Sequence, residues 1–94
     1  MDVSPVLTPA DLHMILKRQL DLPDVYGMNW NAFWDAITGM VKLPKKITIT
    51  GWSVLLERIP EEAKTLARLL NDYSLRYTTD DFTVAYEEKS ETSS

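Results

Sequence analysis

Two stretches of this chain alternate as strands do, Lys46–Thr50 (KITIT) and Phe82–Tyr86 (FTVAY), and roughly 30 residues of helical periodicity separate them. A helix-filled gap of that length suits a parallel crossover, whereas a hairpin needs only a tight turn. Two strands make a poor sheet by themselves. Residues 2–7 are the stretch that could add a third, despite Pro5. If the sheet is incomplete, its open edges favour pairing with another chain.

The remaining periodicity is helical. Thr8-Pro9-Ala10-Asp11 has the N-cap, first-position proline and first-turn acid of a helix start. Leu12, Ile15, Leu16 and Leu20 continue its apolar stripe, and Lys17 and Arg18 stand near its end. Asn29 is the expected N-cap of a second helix, which Gly39 interrupts late and Pro44 ends. Gly51-Trp52-Ser53 turns the chain into a short helix, Val54 to Ile59. Pro60-Glu61-Glu62 opens a longer one, with Ala63, Leu66, Ala67, Leu70 and Tyr73 on its apolar stripe. The expectation is an α/β fold, a small parallel sheet of two or three strands packed by about four helices. Residues 1–87 are expected to form its single domain and 88–94 a disordered polar tail.

The second helix has an unusual exterior. Wound from Trp30 to Val41, it places Trp30, Phe33, Trp34, Ile37 and Val41 on one side. The other side carries Asn31, Asp35 and Thr38, flanked by Ala32, Ala36 and Gly39. A solvated helix face normally bears Lys, Glu, Arg or Gln, which keep rotamer freedom and stay hydrated. One carboxylate among small side chains instead lets another molecule approach closely. Trp34, beside Asp35 at the border of the two faces, is a further contact candidate, since tryptophan is enriched at binding hot spots. Trp30, beside Phe33 and Ile37, reads as buried core.

Charge points the same way. The net charge is -4, which argues against direct nucleic-acid binding. Between Arg18 and Lys42 there is no basic residue, while Asp21, Asp24 and Asp35 supply negative charge. Such a segment favours a basic partner. The chain has no cysteine, no apolar run long enough for a membrane helix and no signal-like N-terminus, so a cytoplasmic protein is expected.

No catalytic motif is visible. His13, the single histidine, reads as a packing or surface residue, with no neighbouring nucleophile to activate. Asp80-Asp81 and Glu87-Glu88 read as a strand-entry turn and a solvated tail rather than as catalytic carboxylates. Three glycines match no phosphate loop, and no spaced ligand set suggests a metal or cofactor.

Leu22-Pro23, Tyr26-Gly27, Asn29, Ala32, Trp34-Asp35 and Thr38-Gly39 form the pattern LPxxYGxNxxAxWDxxTG. With Asp11-Leu12-His13 before it and Val41 and Pro44 after it, this stretch resembles the barstar family, intracellular inhibitors of the secreted ribonuclease barnase. The likeness covers roughly residues 10 to 52 and extends to the C-terminal half by order of elements. It implies a barstar-like fold and a binding protein that is not an enzyme. In that family the loop and second helix plug the ribonuclease active site, acidic side chains standing where RNA phosphates would lie. That complex is itself a reference case for electrostatic steering.

The resemblance implies a partner-binding surface of Tyr26, Gly27, Asn29, Asn31, Ala32, Trp34, Asp35 and Thr38. Asp35 would enter the anion site and pair with arginine and histidine of the enzyme. Asp72 is the best match for the acid that the long helix lends. The chain departs from the pattern at several places. Asn31 stands where barstar has a second aspartate, Val25 replaces an aromatic residue, Met28 a glutamate and Met40 a tryptophan. These changes imply a different partner or weaker binding to barnase itself. The expected function is inhibition of a basic ribonuclease by a protein that is a monomer when free. The alternative is an immunity or regulatory protein, of a toxin–antitoxin kind, for another partner on the same scaffold.

Overall fold

Strand β1 (Lys46–Thr50) is the centre of the structure, a computed structural model that describes residues 1–77 and 82–88. Its Ile47 and Ile49 point into the core, while Thr48 and Thr50 are half-buried. It follows helices α1 (Pro9–Gln19) and α2 (Trp30–Gly39) and precedes α3 (Trp52–Arg58), α4 (Pro60–Tyr77) and strand β2 (Thr83–Glu87). The α3–α4 crossover returns β2 parallel to β1, with Lys46 opposite Thr83 and Thr50 opposite Glu87. The small parallel sheet and its four helices are the α/β architecture expected from the order of elements.

The N-terminal residues supply the missing edge. Val3 N–H donates to the Thr50 carbonyl at 2.9 Å, and Thr50 N–H donates to that of Met1 at 2.8 Å. The Met1 ammonium reaches the Thr48 carbonyl, also at 2.8 Å. Backbone groups of Lys45 and Gly51 bond β2 instead. Polar groups alternate sides along a strand, so the N-terminal segment and β2 occupy opposite edges of β1. Only a parallel bridge, Asp2 to Thr50, forms there rather than a full strand. Pro5 lacks an N–H to continue the ladder.

Caps account for the helix starts. The Thr8 hydroxyl accepts from Asp11 N–H, and Asp11 Oδ2 accepts from the backbone of Leu7 and Thr8. Gly51, at φ 83°, begins α3 at Trp52, two residues earlier than the sequence suggests. A Cβ at Gly51 would lie 2.9 Å from Ser4 Cβ, so the close approach of the N-terminal segment also requires glycine.

Other boundaries, and the burial of Ala36, also differ from expectation. Helix α2 stops at Gly39, and Val41 lies beyond it, its N–H turned back to the Ala36 carbonyl at 3.0 Å. Strand β2 begins at Thr83 and includes Glu87. Phe82 is instead buried ahead of it, edge-on to Tyr73 at 5.2 Å. Ala36 is buried in the core rather than flanking the exposed face. The Asp80-Asp81 turn and residues 89–94 of the expected tail lie outside the described residues.

The core joins Leu12 and Leu16 of α1, Phe33 and Ile37 of α2, Ile49 of β1, and Leu55, Leu66 and Leu70 of the later helices. Each such side chain contributes about 1.5–3 kcal/mol by leaving water. That packing sets α2 beside α4, which positions the site.

Candidate functional site

The approach to α2 is a loop braced by local hydrogen bonds. Asp21, at φ 55°, lets Leu22 N–H return to the Lys17 carbonyl at 2.9 Å and close α1. Leu22 is then buried, and Tyr26 N–H bonds the Pro23 carbonyl at 2.9 Å. Met28 occupies the left-handed region at φ 59°, where a non-glycine residue pays about 1–2 kcal/mol. Asn29 holds this strained step. Its amide donates to the Gly27 carbonyl at 3.2 Å, and its oxygen accepts from Ala32 N–H at 2.8 Å. A Cβ on Gly27 would sit 3.3 Å from that amide and 3.5 Å from Ala32, so the loop lies directly on the first turn of α2.

Beneath the loop runs a chain of aromatic and polar contacts. The Tyr26 hydroxyl is hydrogen-bonded to buried His13 Nδ1. The His13 ring lies 4.4 Å from that of Trp30, and Trp30 Nε1 donates to Glu62 Oε1 at 2.7 Å. Burial lowers the pKa of His13 below its ordinary value, opposed in part by the charge of Glu62. Burial likewise pushes the Tyr26 phenol up. These groups link α1, the loop, α2 and α4. Trp30 is half-buried rather than fully enclosed, and His13 is a packing residue.

Between α2 and α4 lies a groove of about 450 Å³. Trp30, Asn31, Trp34 and Asp35 form one wall, and Arg68, Leu69, Asp72 and Arg76 form the other. Asn31 and Asp35 are exposed, while Trp34 and Asp72 are half-buried. Thr38 Oγ donates to the Trp34 carbonyl at 2.7 Å, fixing the far end of the α2 wall. Among the described residues, no salt bridge joins Asp35 or Asp72 to Arg68 or Arg76. The carboxylates are therefore open to an incoming cation.

A family model described as Barstar (barnase inhibitor) matches residues 1–87. The chain belongs to the barstar family. Its small parallel sheet and surrounding helices are the barstar fold. A protein of Bacillus subtilis (strain 168) bearing the name "Putative ribonuclease inhibitor YrdF" is 50% identical over 38 residues, 40% of this chain. The matched stretch covers 42% of that relative, less than half its length.

The candidate contact residues named from the sequence take several different places in the structure. Asn31, Trp34 and Asp35 of α2 meet Asp72 of α4, distant in the chain, in the groove. Gly27 and Asn29 are exposed at the loop, and Ala32 is half-buried beneath it. Tyr26 faces inward. Its ring is buried and its hydroxyl is engaged by His13, so it supports the barstar loop rather than presenting a free surface. Thr38 is half-buried with its hydroxyl turned to the helix backbone.

Arg68, Leu69 and Arg76 were not among the expected site residues. The signal for the arginines was present: residues 68, 72 and 76 recur at i, i+4 and i+8, one stripe of α4 opposite its apolar face. Among the described residues no group of three or more potential metal ligands is gathered, and no helix is long and apolar enough to cross a membrane.

Proposed function

We propose that this barstar-family protein inhibits a basic, barnase-type ribonuclease by seating the α2–α4 groove over the enzyme's active site. Asp35 takes the place of an RNA phosphate and accepts charge-assisted hydrogen bonds from the enzyme's cationic residues. Trp34 packs beside it and Asp72 adds a second negative charge from α4. The observation that carries this reading is the convergence of Asn31, Trp34 and Asp35 with Asp72 in one open groove. The family match over residues 1–87 supports it independently. The loop residues Gly27 and Asn29 contribute a close, low-relief approach next to the groove. Working inside the cell that makes the ribonuclease, the protein would act as its immunity partner.

The net charge of -4 and the basic-free segment before Lys42 favour rapid encounter with a cationic enzyme. Asp24 contributes less than the sequence suggests, since Lys17 Nζ lies 3.9 Å away. Asp35 is the central charge.

One observation favours the second reading, a different toxin or protein partner on the same scaffold. Arg68 and Arg76 stand in the groove, and a uniformly basic active site would meet them unfavourably. Titration into a barnase-type ribonuclease, following RNA cleavage at low and physiological salt, separates the two. Stoichiometric inhibition that weakens as salt rises supports the ribonuclease reading. Absence of inhibition by folded protein supports the other.

A further inference from the structure

The stripe Arg68, Asp72, Arg76 places one charge per turn along α4, in the order plus, minus, plus. Successive members stand about 6 Å apart along the helix axis. Asp35 faces them from α2, and Asn31 adds no charge. The groove is thus formally neutral, two carboxylates against two guanidinium groups, although the protein carries a net charge of -4. Residues four apart on a helix are close enough to pair. Among the described residues these do not, and both arginines are exposed.

Unpaired guanidinium groups have a consequence for docking. A partner that covers them must supply acceptors, because sealing a charge away from water without a counter-charge is costly. A partner with only positive charge at this face is repelled at two points while attracted at two others. A partner of alternating charge satisfies all four.

From this pattern we infer that Arg68 and Arg76 determine specificity, selecting a ribonuclease with at least one carboxylate beside the cationic centre that receives Asp35. The inference rests on the proposed ribonuclease reading and names the partner's surface chemistry. Arginine suits the role because its planar fork binds a carboxylate through two parallel hydrogen bonds. The mismatch against wholly basic surfaces excludes wrong partners, while the new pairs attract the right one.

Double-mutant cycles with barnase as the probe test this. Arg68→Gln and Arg76→Gln are each combined with enzyme variants in which carboxylates at the active-site rim are changed, one at a time, to amides. Inhibition constants are measured for every pair. Both arginines are exposed on a helix that glutamine also favours, so the variants should fold as the parent does. The expected result is a coupling of about fivefold or more in at least one cycle. Coupling within about twofold in every cycle overturns the inference. If Asp35→Ala still abolishes inhibition in that case, the proposed function stands without it. Failure of the unmodified protein to inhibit overturns both.

Discussion

Trp30 Nε1 and Glu62 Oε1 are 2.7 Å apart, a hydrogen bond that ties the first turn of α2 to the first turn of α4 across 32 residues of sequence. The same indole contacts His13 at 4.4 Å and Phe33 edge-on at 5.5 Å. The two walls of the groove are therefore fixed to each other at their N-terminal ends, away from the charges that line the opening. A docking face built from two helices keeps its shape only if their separation is held in this way.

Glu62→Ala removes the acceptor and leaves the half-buried indole N–H without its partner. The expected loss is about 1–3 kcal/mol, the cost of leaving a buried donor unsatisfied. Urea unfolding should show a lower midpoint with an unchanged slope. An unchanged midpoint would mean that packing alone sets the α2–α4 spacing.

His13 gives a pH dependence of defined sign. Burial holds its native pKa below the value near 6.5 of the unfolded chain, with Glu62 opposing part of the shift. As pH falls through about 6.5, the unfolded chain takes up a proton that the native state resists, so stability falls. The slope from this residue ends once the lowered native pKa is passed. Urea midpoints measured between about pH 7.5 and 5 should drop more steeply for the parent than for His13→Gln. Parallel curves would remove His13 as the cause.

Gly51→Ala should be the most damaging exchange of hydrogen for methyl in the protein. The residue sits at φ 83°, and a Cβ would meet Ser4 Cβ at 2.9 Å and Ser4 N at 3.0 Å. Left-handed strain of about 1–2 kcal/mol adds to an overpacking cost of about 1–3 kcal/mol. Gly39→Ala is the control, because nothing lies within 4 Å of a Cβ there. Denaturant midpoints of the two variants should differ widely in that order.

Much of this fold was legible in the sequence because its strongest signals are local. Thr8 with Asp11 declares a helix start, and KITIT declares a strand. Element boundaries depart from the local pattern where tertiary contacts override it. Phe82 alternates correctly for a strand, yet its place is set by the ring of Tyr73. Ala36 looks like an exterior small residue, but α2 rolls far enough onto the core to bury it. The candidate site was half legible. Asn31, Trp34 and Asp35 stand together on one short helix, whereas Arg68, Leu69 and Arg76 join them only through the packing of α4. Tyr26 lies within the family pattern, and only the structure shows that its hydroxyl serves His13.

Inhibition by Asp35→Ala, read beside its urea unfolding curve, is the most direct test of the groove as the ribonuclease-binding surface. Asp35 is exposed and has no ion-pair partner among the described residues, so folding stability should change by less than about 0.5 kcal/mol. Binding to a barnase-type ribonuclease should weaken by about 2–5 kcal/mol, since the enzyme's cationic centre is left covered and unpaired. That corresponds to roughly 30-fold to several thousand-fold in the inhibition constant. A variant that inhibits as well as the parent, or one that loses inhibition only because it no longer folds, would contradict the assignment of Asp35 to the interface.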